Sequence, residues 1–166
     1  LFTIMHASFM PAMGVGQACS TLVSKYMGQG RIKKSETSIR ESIRIAEYIM
    51  APMGLTFILF PDFYLHIFTN DLKIINMGSY GLRIIVALQF VDAVGFVLWF
   101  ALSGAGNTFF PAMVEAVLTW VVVVLGSYVV GVYYSLGFNA LWWLFPIHLG
   151  FFATIMTWKI KQGDWK

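Results

Sequence analysis

Apolar residues along this chain run in long blocks, and polar residues gather between them. A helix crossing the hydrocarbon core of a bilayer needs about 20 mostly apolar residues. Five segments reach that length, at about residues 2–23, 45–68, 82–101, 109–133 and 141–158. The pattern predicts an all-α fold: a polytopic transmembrane helix bundle of five spans, forming one unit over residues 1–166.

The polar connections differ from one another. The longest, Lys25 to Arg44, is basic. Within it Ser38 is followed three residues later by Glu41, a capping-box pattern, and Ile39, Ile43 and Ala46 share a helical face. A short interfacial helix starting there is expected to feed the second span. The second connection carries Asp62, Asn70, Asp71 and Lys73, with no basic excess. The third (Ser103 to Asn107) and the fourth (Ser135 to Asn139) are uncharged, and the tail is basic again through Lys159, Lys161 and Lys166.

Basic connections stay in the cytoplasm. The first connection and the tail are both basic, and four crossings return a chain to the side it left. The two clusters thus agree with five spans and a cytoplasmic C-terminus. The first span then starts outside. The chain opens on Leu1 within an apolar run, with no basic segment or cleavage site of a signal peptide. The expectation is a chain lacking its front end.

Composition narrows the class. Of 166 residues, 58% are hydrophobic, 17% aromatic and only 11% charged, whereas soluble domains carry about 25% charge. The chain cannot cover a water-facing exterior. Its net charge of +3 lies beside the spans, where it reports topology and contact with anionic headgroups rather than nucleic acid. One cysteine, Cys19, allows no intrachain disulfide. No phosphate loop, paired-cysteine metal site, zinc-protease helix or nucleophile elbow occurs. An enzyme is not expected, nor is a bound cofactor, and a nucleotide-driven pump would need its ATPase elsewhere.

Asp92, inside the third span, is the most informative residue. A charge at the bilayer centre costs about 2.5–3.5 kcal/mol on insertion scales. Desolvation disfavours the ionised form, so a carboxyl there can exchange a proton, or bind a small cation such as sodium when ionised. The plainer alternative is a structural acid bonded to a neighbouring helix. Gln89 on the same helix face and Glu115 in the fourth span are secondary candidates. Glu115 follows Pro111 closely and reads better as an interfacial acid. Arg83 reads as a snorkelling anchor, and His6, His66 and His148 as core or interfacial side chains without metal-ligand spacing. Gly14, Gly16, Ala18 and Gly126 offer small surfaces for close helix packing. Pro11, Pro52 and Pro146 permit bends. Several of Trp99, Trp120, Trp142, Trp143, Trp158 and Trp165 suit an interface belt.

In order, these features resemble the multidrug and toxic compound extrusion (MATE) family. The likeness starts at Pro11-Ala12-Met13-Gly14-Val15-Gly16-Gln17-Ala18 and runs on to Gly28-Gln29-Gly30-Arg31. It continues in Leu59-Phe60-Pro61, Ile67-Phe68-Thr69-Asn70-Asp71, Leu82-Arg83-Ile84 and Ala101-Leu102-Ser103-Gly104-Ala105-Gly106-Asn107-Thr108. The tail, with Trp158, Gly163 and Trp165, is similar to that family's C-terminal end.

The resemblance implies twelve helices in two six-helix lobes, of which these spans would be helices eight to twelve: the second lobe lacking its first helix. It implies an inner-membrane antiporter that exports cationic or amphipathic drugs in exchange for protons or sodium ions. Its partners would be the small-molecule substrate, the lipid bilayer and the N-terminal lobe of the same chain. Asp92 falls where some branches carry an acid of the coupling-ion site. Two positions depart from the pattern: Leu88 stands where some members have tyrosine, and Ser103 where arginine is frequent. A flippase for lipid-linked saccharides of the same superfamily and a non-transporting membrane scaffold are the alternatives. A scaffold would tolerate loss of Asp92.

Overall fold

A computed structural model of the chain describes residues 2–67, 71–87, 89–135 and 138–165. Within the helices, the side chains of residues 2–8, His6 among them, and of residues 73, 74, 76, 77, 80, 85–87, 138 and 139 lie outside the described set, as do residues 68–70 and Leu88. The described residues are almost entirely helical. The elements are α1 (Phe2–Gly28), α2 (Ile32–Leu59), α3 (Pro61–His66), α4 (Leu72–Ala87), α5 (Gln89–Gly104), α6 (Phe109–Tyr133), α7 (Phe138–Leu141) and α8 (Leu144–Gln162). By length and apolarity alone, α2 and α6 could each cross a membrane, and α5 is a shorter apolar helix.

The sequence expects a separate interfacial helix before the second span, and the structure corrects this. One uninterrupted helix, α2, begins at Ile32, directly after a turn in which Gly30 takes a left-handed backbone, φ 68°. Ser38 does not cap it. Its hydroxyl donates back to the Lys34 carbonyl at 2.9 Å, so the residue is spent inside the helix. Ile39 and Ala46 are buried together and Ile43 packs against them, as their spacing predicts. The far end comes early, at Leu59. Pro61 cannot supply an amide hydrogen and disfavours helical geometry at Phe60, which sits at φ −127°, ψ 50°. Pro61 then opens the short α3.

Helix α5 is the centre of the packing. Its Val97, Leu98, Ala101 and Leu102 share one core with Cys19 and Val23 of α1, Ala46 and Met50 of α2, and Phe152 and Met156 of α8. A second cluster joins Phe57 of α2, Leu65 of α3, and Ile75 and Leu82 of α4. Lipid tails are as apolar as leucine, so membrane helices associate largely through close packing at small residues. A Cβ on Gly95 would stand 3.0 Å from the Phe152 ring, and one on Gly126 would stand 3.1 Å from Leu144. Gly16 packs on Phe100. Gly14 differs from expectation, since nothing within 4 Å would meet its Cβ.

Helix α6 lies at the edge. Its most apolar stretch has no buried residue, and Trp120, Val121, Val124, Leu125 and Tyr128 are exposed along it. An apolar face of that size fits lipid or another protein surface, not water. Two stretches of this helix, Thr119–Leu125 and Val129–Tyr133, are wound in the wider π form, which occurs often at functional sites. Hydroxyls on the helices turn inward to their own backbone: Thr154 donates to Gly150 and Thr157 to Ala153, each at 2.7 Å. Such bonds satisfy polar groups where water is scarce.

Of the tryptophans expected at an interface, Trp120, Trp143 and Trp158 are exposed, whereas Trp142 and Trp165 are buried. Trp142 fills the space over Gly81, and the Trp165 indole donates to the Ile160 carbonyl at 2.9 Å. These two serve packing.

Candidate functional site

Helical spacing brings one set of side chains onto a common cavity. On α5, Asp92, Phe96 and Trp99 follow at intervals of four and three, so they share a face. On α6, Glu115, Thr119 and Val123 do the same at intervals of four. Helix α8 contributes Phe145, His148, Leu149 and Phe152, and α1 contributes Phe9. Together they enclose a cavity of about 270 Å³. That is several times the ~30 Å³ share of one liquid water and below the usual ~300–1,000 Å³ of a drug pocket. It suits a hydrated ion or a small organic cation.

Asp92 is 2% exposed, and its Oδ2 is buried without a hydrogen-bond partner among the described residues. A buried carboxylate oxygen left unpaired is costly. Glu115 shares the cavity and is only half-buried. Its Oε1 accepts a hydrogen bond from the Thr119 hydroxyl at 3.4 Å and lies 3.5 Å from His148 Nε2. The latter is an ion-pair separation, too long and too poorly aligned for a hydrogen bond, and His148 Nε2 makes none among the described residues.

The walls are aromatic. The rings of Phe96 and Trp99 are nearly parallel, 6.4 Å apart with 8° between planes, and Phe152 meets Trp99 at 5.7 Å. Phe9 leans on Phe96 at 5.9 Å. Such faces attract a desolvated cation by about 2 kcal/mol.

The structure thus brings Asp92 and Glu115 to one cavity, and it puts Gln89 elsewhere. Gln89 is buried, but its amide points across to Met50 Sδ of α2 at 3.9 Å, and it does not line the cavity. Arg83 is exposed on α4, and His66 is exposed at the end of α3, in keeping with peripheral readings. His148 is the residue that sequence reasoning undervalued. A usable signal lay in its spacing: Phe145, His148 and Phe152 mark one face, as Glu115 and Thr119 mark the polar face of an otherwise apolar helix. Among the described residues, no three His, Cys, Asp or Glu side chains converge as metal ligands.

A helical bundle with long lipid-suited faces and a buried acid, its Oδ2 without a partner among the described residues, in an aromatic cavity has the character of an integral membrane protein. The comparisons specify which kind. Residues 1–129 match the model of the MatE family, and the chain belongs to that family. It is 30% identical over 159 residues to the probable multidrug resistance protein NorM of Thermotoga maritima, covering 96% of this chain and 34% of that protein. It is 25% identical to the protein of the same name from Brucella suis, over 93% of this chain and 34% of the relative. It is 24% identical to the multidrug resistance protein NorM of Burkholderia vietnamiensis, over 94% and 35%. The chain spans about a third of the length of the curated relatives it matches.

Proposed function

We propose that this chain is part of the C-terminal lobe of a secondary antiporter that exports cationic or amphipathic drugs in exchange for protons or sodium ions. The five spans would be helices eight to twelve of the transporter, with the C-terminus cytoplasmic in the inner membrane. The substrate pathway would lie between this lobe and an N-terminal one. The names of the multidrug resistance relatives support the substrate class. The observation that carries the coupling role is the burial of Asp92, with Oδ2 unpaired, in the aromatic cavity.

Protonation of Asp92, or a cation bound to it, would shift the lobe between outward- and inward-facing states. A ligand shifts such an equilibrium only by its difference in affinity for the two states. The membrane potential supplies about 2.3 kcal/mol per charge per 100 mV. A lipid-linked pyrophosphate would favour more cationic residues in the spans, and Arg83 alone is thin support. Its exposed position away from the cavity favours the drug antiporter over the flippase.

The test is drug efflux from cells expressing the full-length transporter, wild type beside Asp92→Asn at matched expression. Loss of export in the variant supports coupling at Asp92, and equal export makes Asp92 structural. Repeating the pair with and without sodium names the ion.

A further inference from the structure

Among the described residues, the cavity that holds two acids also holds one group able to carry a compensating positive charge. His148 stands 3.5 Å from Glu115, and the Thr119 hydroxyl supports the same Glu115 oxygen. Among the described residues, Asp92 has neither kind of help at Oδ2. Two carboxyls in one small cavity are therefore differently equipped: Glu115 has a basic neighbour and a hydroxyl donor, and among the described residues Asp92 Oδ2 has neither.

Among the described residues, the charge count of the cavity is short. Helix α5 contributes Asp92, helix α6 contributes Glu115 and helix α8 contributes His148. The described wall from α1 is Phe9, and Arg83 of α4 is exposed away from it. The rest of the described lining is aromatic or aliphatic apart from Thr119. In such surroundings an unbalanced charge is penalised, most of all at the fully buried Asp92, so occupied states in which the described groups sum to zero are favoured.

We propose that His148 is a built-in cation of this cavity: its imidazolium stays with Glu115 and neutralises it, leaving Asp92 as the acid that exchanges its proton for an incoming monovalent cation. The inference rests on the antiport reading above. In the resting state Asp92 carries its proton, Glu115 is a carboxylate and His148 is an imidazolium, and the sum is zero. When a monovalent cation enters, the Asp92 O–H bond breaks, the proton leaves to solvent, and the carboxylate pairs with the cation. The sum is zero again. His148 acts through Glu115 and is a positioning residue; it decides which acid of the two exchanges.

That division of labour has a consequence that a merely structural histidine would not produce. Without the imidazolium, Glu115 would itself have to take up a proton to remain neutral, and that proton would then be exchangeable. The test uses the purified full-length transporter in weakly buffered detergent, with tetramethylammonium as the cation and a pH indicator as the readout. Wild type should release protons on addition of the cation, and Asp92→Asn should release none. The double variant Asp92→Asn/His148→Gln should regain release, and adding Glu115→Gln to it should abolish release again. A double variant as silent as Asp92→Asn overturns the proposal while leaving the antiport reading intact. Release by Asp92→Asn equal to wild type overturns the antiport reading instead, and the proposal with it. Each variant is qualified by a monodisperse elution profile. If Asp92→Asn fails that, Asp92→Ser takes its place.

Discussion

Gly104 of α5 lies directly against the backbone of Ser20 in α1, so that a Cβ at position 104 would stand 2.8 Å from the Ser20 Cα. A backbone atom cannot swing aside as a side chain can. The two helices touch here because the residue is glycine, and it lies in the Ala101 to Thr108 stretch that carries the family likeness.

Replacing Gly104 by valine should therefore force α1 and α5 apart. Overpacking of this kind costs about 1–3 kcal/mol, and the unfolding midpoint of the purified full-length transporter should fall. Gly150→Ala is the control. Nothing within 4 Å meets a Cβ there, and alanine suits a helix interior better by about 0.5–1 kcal/mol. A midpoint that drops equally in both variants would show that the α1–α5 contact is looser than it stands here.

Gln89 separates a structural from a functional residue. It is buried, its Oε1 has no partner among the described residues, and its amide reaches only a thioether at 3.9 Å. Replacing a poorly satisfied buried amide by an apolar group of similar shape relieves a penalty of about 1–3 kcal/mol. Gln89→Met should raise the unfolding midpoint and leave drug efflux near wild type. Efflux lost at an unchanged or raised midpoint would return Gln89 to the ion site.

Trp99 offers a reporter of the cavity. Its ring lies between Phe96 and Phe152 on the cavity wall, so a cation entering there should change its emission. Titrating the full-length transporter with tetramethylammonium should give a saturable fluorescence change that Trp99→Phe removes. A change that survives in Trp99→Phe would put the cation near another tryptophan.

Gly163 ends α8 in the left-handed region, at φ 80°, where a side chain costs about 1–2 kcal/mol. Gly163→Ala should lower the unfolding midpoint correspondingly, with export per folded transporter unchanged. Export lost without loss of stability would give the C-terminal turn a role in transport.

How far the sequence could be read depended on the range of the forces involved. Pro61 interrupts the helix before it through its own ring and missing amide hydrogen, and that break was open to prediction, yet the apolar run across it masked the signal. Ser38 misled for a related reason. A serine three residues before a glutamate looks like a cap, but inside a helix that starts earlier its hydroxyl bonds back to Lys34. Asp92 stood out because an acid in an apolar run is anomalous under any packing. His148 did not, because a histidine becomes interesting only when something charged stands opposite, and Glu115 reaches it from another helix.

The sequence by itself determined the helical membrane class, the two basic clusters and the family likeness, since each is written in hydrophobic length, charge position or local motif. Tertiary structure alone decided which polar residues meet. Packing α5, α6 and α8 around one cavity placed Glu115 beside His148, left Asp92 Oδ2 without a partner among the described residues, and turned Gln89 toward Met50. Helical periodicity fixes the face on which a residue sits. What that face touches is set by the crossing of helices, which depends on small residues such as Gly104 and Gly95 allowing backbones to approach.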